Sequence, residues 1–128
     1  MDTRIKIRQA AQAAALRHQA AEQKRPLRVA TGHFDPLLVE HARLLGEFAR
    51  PEAWLVVVVT PTRNPLLALR ARAELVASLA VVEHVFAAAD AGEAERVLAD
   101  LEPEAVLRWD ADDERRTAEL IAHVHSRY

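Results

Sequence analysis

Cysteine is absent from the 128 residues, which rules out disulfides, thiolate metal sites and a cysteine nucleophile, and agrees with an expected cytoplasmic setting. Glycine is nearly as scarce: three in the whole chain, so no glycine-rich phosphate loop of the Walker or G-x-G-x-x-G kind exists. Aromatics make up only 5% of the residues and do not alternate with basic ones, so nucleic-acid binding is not expected. Long apolar runs are lacking as well. The longest, "AWLVVVV" at Ala53 to Val59, is far short of the roughly 20 residues of a membrane helix. The N-terminus carries Arg and Lys but no apolar signal core. A membrane partner and an exported form are therefore not expected.

What remains is ordinary globular material, 51% hydrophobic and 28% charged, of a length that suits one domain. The net charge of -2 conceals an asymmetry. Residues 1–28 hold seven Lys and Arg against two acids, whereas residues 90–119 hold eleven acids against four arginines. Such opposite faces suit pairing between copies, and a homo-oligomer is expected.

Residues 2–24 are rich in Ala, Gln, Arg and Glu and free of Pro and Gly, so they read as a leading basic helix stopped by "KRP" at Lys24 to Pro26. We divide the chain into this helix, residues 1–25, and an α/β domain over residues 26–128. Four strands follow: Leu27–Thr31, the β-branched run Trp54–Thr60, Val82–Ala88 and Ala105–Trp109. Helices alternate with them. Asp35-Pro36 and Asn64-Pro65 each place a capping acceptor before a first-turn proline, Asp90 with Glu93 forms a capping-box pair, and a final helix is expected over Asp113 to Ser126. The fold class is a Rossmann-like three-layer α/β/α domain with a parallel sheet of about four strands. Ligands of such sheets bind beyond the carboxyl ends of the strands, where strand order reverses. That rule selects Thr31, Gly32 and His33, then Thr60, then Ala88 to Asp90, then Arg108 to Asp110.

The segment "TGHFDPLLVEHARLL" resembles the first signature, G-x-F-D-x-L-H-x-G-H, of the cytidylyltransferase-like nucleotidyltransferases. "RAELVASLAVVEHVF" and "LADLEPEAVLRW" are similar to the middle of the domain that adenylates heptose phosphate, and "RRTAEL" stands where that family has R-S-T-T-x-I. The resemblance implies attack of a substrate phosphate on the α-phosphate of ATP or CTP, with magnesium and with release of pyrophosphate. It also implies roles. Gly32, Phe34 and Asp35 would line the nucleotide, joined by Thr31 and His33 from their place at the strand end and not from the family pattern; His41 would be catalytic, Arg108 would replace a lysine, and Arg115, Arg116 and Thr117 would hold phosphate. Arg72, which opens the middle segment, would face the substrate.

Two departures oppose that chemistry. Leu38 stands where the family has its first histidine, and Glu40 replaces a glycine and brings negative charge towards a polyphosphate. The segment between the second strand and Arg72 also lacks the family's lysine-bearing loop. The expected function is therefore a nucleotidyltransferase-like domain with impaired or lost catalysis, a nucleotide-binding or structural pseudoenzyme. The alternatives are an active transferase acting on a small phosphate such as a sugar phosphate, and a protein-interaction module that uses the basic leading helix.

Simpler roles compete for each residue. His41 falls on the apolar stripe of its helix with Leu37, Leu44, Leu45 and Phe48, as a packed histidine would. Asp35 also reads as an N-cap. Asp110, Asp112, Asp113 and Glu114 lack the spacing of a calcium loop, and His123 and His125 point to different sides of a helix, so no metal site is expected.

Overall fold

A run of valines with no polar interruption demands cover on both sides, and the fold supplies it. In the computed structural model, which describes residues 2–110, that run is the middle strand of a five-stranded, wholly parallel sheet. The elements in chain order are β1 (Ile7–Arg8), α1 (Ala13–Glu22), β2 (Leu27–Gly32), α2 (Val39–Phe48), β3 (Trp54–Val59), α3 (Leu69–Ala77), β4 (His84–Ala87), α4 (Ala91–Leu101) and β5 (Ala105–Arg108). Short 3-10 turns at Thr3–Lys6 and Ala10–Gln12 flank β1. The spatial order is β1-β4-β3-β2-β5. Strands β2, β3 and β4 are thus laid down outward in one direction, and β5 returns to the other side of β2.

Side chains alternate across the strands and build two cores. Val29, Val56, Val58 and Phe86 pack with Ala13, Leu16 and Ala20 of α1 and with Ala94, Val97, Leu98 and Leu101 of α4. On the opposite face Ala30, Val57, Val59 and Val85 pack with Leu45 of α2 and with Ala73, Val76 and Ala77 of α3. The Rossmann-like α/β class expected from the sequence is the class observed. No helix among the described residues is long and apolar enough to cross a membrane.

Three local expectations are corrected. The leading helix does not run over residues 2–24: α1 begins at Ala13, and Ile7–Arg8 forms an edge strand against Val85–Phe86 of β4, so the sheet has five strands and not four. Lys6 helps to hold that strand by donating from Nζ to the Leu79 carbonyl at the end of α3, 3.1 Å away. Asp35 does not cap α2, which starts at Val39 after Leu38, because its carboxylate is engaged elsewhere. Asn64-Pro65 lies in a loop, and α3 starts four residues after that proline, at Leu69. By contrast the Asp90 device forms as expected. Asp90 Oδ1 accepts the Glu93 amide at 2.7 Å, and Glu93 Oε1 accepts the Ala89 amide at 3.1 Å.

Candidate functional site

Strand order reverses between β2 and β5, and their carboxyl ends meet there. The ladders of β2 with its two neighbours continue past β5 and β3: the Trp109 amide donates to the Thr31 carbonyl at 2.8 Å and the Thr60 amide to the Gly32 carbonyl at 2.9 Å. Across the reversal Thr31 Oγ1 donates to Asp110 Oδ1 at 2.8 Å. Thr31, Gly32, Trp109 and Asp110 therefore converge where the topology places a ligand.

The chain leaving β2 turns sharply. Phe34 adopts a left-handed backbone with φ of 50°, and Asp35-Pro36 is a cis peptide. A bulky residue is strained in that region. The compensation is burial: the Phe34 ring is fully enclosed, lies 5.1 Å from the His41 ring and 5.9 Å from the Trp109 ring, and meets both edge-on. His41 and Trp109 are themselves 5.5 Å apart. Edge-to-face arrangements of this kind add to the stability gained from burying area.

His41 sits in the first turn of α2 and is 2% exposed. Its Nδ1 accepts the Leu38 amide at 2.9 Å, so the neutral ring carries its proton on Nε2. The histidine thus does for the start of α2 what a capping side chain does elsewhere, since leucine at position 38 has no acceptor. Glu40, in the same turn, is exposed. Leu38 and Val39 are exposed too.

Asp35, 2% exposed, receives the amides of Leu66 and Leu67 at 2.7 and 2.8 Å and so ties the loop after β3 to the loop after β2. Arg72 completes the tie. Equally buried, it donates from Nη1 to the carbonyls of His33 and Thr60, both at 2.8 Å, and from Nε to the Leu67 carbonyl at 3.2 Å. Burial pulls its guanidinium below the ordinary value, and the nearby Asp35 charge opposes that pull. His33 joins the same knot: its Nδ1 lies 3.0 Å from Thr60 Oγ1.

Arg108 is at the level of Thr31 in the β2–β5 register but turns outward to Glu95 of α4, 2.9 Å away and exposed. The hydrogen bond raises the Arg108 guanidinium and lowers the Glu95 carboxyl.

Of the residues selected from sequence, Thr31, Gly32, His33, Phe34, Asp35, His41 and Arg72 come together at the carboxyl ends of β2 and β3, whereas Arg108 faces α4. Arg115, Arg116, Thr117, the remaining acids at 112–114, the histidines at 123 and 125 and the expected final helix lie outside the described residues. Sequence reasoning missed the anchoring of Leu66 and Leu67, because a main-chain amide carries no residue-type signal. Compared with known proteins, the chain matches no protein-family model and no curated protein.

Proposed function

We propose that this chain is a nucleotidyltransferase-like domain, a nucleotide-binding or structural pseudoenzyme with impaired or lost nucleotidyl transfer. One observation carries the reading: among the described residues, the polar side chains that the sequence resemblance assigns to nucleotide, substrate and catalysis are engaged within the protein itself. His41 is packed between Phe34 and Trp109 and caps its own helix, Asp35 anchors a loop, Arg72 serves three carbonyls and Arg108 pairs with Glu95. Magnesium triphosphate fits this surroundings poorly. Phosphate at a helix start is bound by first-turn amides and a helping cation. At α2 the Leu38 amide is already given to His41, and Glu40 adds charge of the wrong sign.

Calorimetric titration with ATP and CTP in magnesium tests the reading, using the natural chain and the Leu38→His, Glu40→Gly double variant. Silence from the natural chain with heat from the variant supports it. Saturable binding by the natural chain, followed by pyrophosphate release on adding a sugar phosphate, favours a live transferase and overturns it.

A further inference from the structure

The edge strand β1 helps to wall a groove at the carboxyl ends of the strands. Strands β1 and β4 are both followed by helices on one face, α1 and α4, whereas β3, the inner neighbour of β4, is followed by α3 on the other. Connections that diverge from adjacent strands leave a gap at the carboxyl edge, the same geometry that opens ligand crevices in α/β sheets. On the β1 side of this divergence lies a groove of 520 Å³, lined by Arg8 at the end of β1, Gln9 and Ala10 after it, Ala87 at the end of β4, Arg70 in the first turn of α3 and Glu93 in the first turn of α4. That volume lies within the range of about 300–1,000 Å³ found for small-molecule sites.

The chemistry of the lining is specific. Two guanidinium groups come from separate elements. Arg8 contacts His84 through Nε at 3.4 Å and Arg70 contacts Glu74 through Nε at 3.1 Å. Among the described residues the terminal nitrogens of both have no hydrogen-bond partner, and guanidinium forks suit phosphate oxygens. Glu93 gives one carboxylate oxygen to the Ala89 amide, which leaves the other to accept a hydroxyl, and a carboxylate in the lining disfavours a ligand that is anionic throughout. We propose that this groove binds a small phosphorylated polyol, its phosphate on Arg8 and Arg70 and a hydroxyl on Glu93. This site is separate from the carboxyl ends of β2 and β5 and does not depend on whether nucleotide binds there.

The test is amide chemical-shift mapping of the whole chain with ribose 5-phosphate, compared with ribose and with inorganic phosphate. Shifts at Gln9, Ala10, Arg70 and Ala87 that saturate are expected, with ribose inactive and phosphate weaker. Arg70 is 60% exposed, so Arg70→Ala keeps the fold and weakens binding about tenfold, the effect of losing one charge-assisted contact. Arg70→Lys recovers part of that loss. Absence of saturable shifts at millimolar ribose 5-phosphate overturns the proposal, as do equal shifts with ribose. Shifts confined to Thr31, Gly32 and Trp109 overturn it while supporting a ligand at the carboxyl ends of β2 and β5.

Discussion

Phe34 shows how one residue combines backbone strain with burial. Its left-handed conformation costs about 1 kcal/mol or more for any side chain beyond glycine, and the enclosed ring offsets this against His41 and Trp109. Truncation to alanine removes the ring and keeps the strain, so Phe34→Ala lowers unfolding free energy by about 3 kcal/mol. Phe34→Gly removes both and falls about 1 kcal/mol less, reversing the usual order of the two residues. Urea denaturation of the two variants measures the difference. A second residue predicts a pH dependence. Burial first, then the neighbouring Arg8 and Lys6 cations, hold the His84 imidazole down from 6.5 to about 4. The folded state thus resists a proton that the unfolded chain accepts, and stability falls as pH drops from 6.5, with the loss complete below about 4. Melting curves of the natural chain across that window slope downward into acid, and His84→Gln flattens them.

Helix ends and a short strand decide most of what happens at the scale of elements. Lys24 follows α1 and Glu102 follows α4, both with left-handed backbone, φ of 55° and 46°, at positions where glycine is usual. Lys24→Gly therefore raises stability by about 1 kcal/mol, and an unchanged or lower midpoint in thermal unfolding contradicts that assignment. Elements were legible where local chemistry and tertiary need coincide. The valines of β3 announce a strand buried on both faces, and Asp90 with Glu93 announces the start of α4. The signal failed where a distant partner outbids the local one. Asp35 beside Pro36 has the form of a cap, but the Leu66 and Leu67 amides, more than thirty residues on, take its carboxylate. Ile7 and Arg8 lie in helix-forming composition, and only the open edge of β4 makes a strand of them.

At the scale of the molecule, the sequence located the strand ends that meet at β2 more clearly than it located the work of the residues around them. Strand-helix alternation placed Thr31, Gly32 and Trp109 at strand ends, and the reversal at β2 brings them together with Asp110. Whether a buried histidine serves chemistry or packing depends on its neighbours in space, Phe34 and Trp109, which lie seven residues before it and sixty-eight after. The same holds for Arg72, whose partners are main-chain carbonyls gathered from three segments. The most direct measurement is thermal unfolding of His41→Ala beside the natural chain. A histidine that packs two rings and caps α2 predicts a loss of about 2 kcal/mol, a fall in Tm of roughly 5–10 °C. An unchanged Tm, with loss of a nucleotide-dependent activity, would contradict it and return His41 to catalysis.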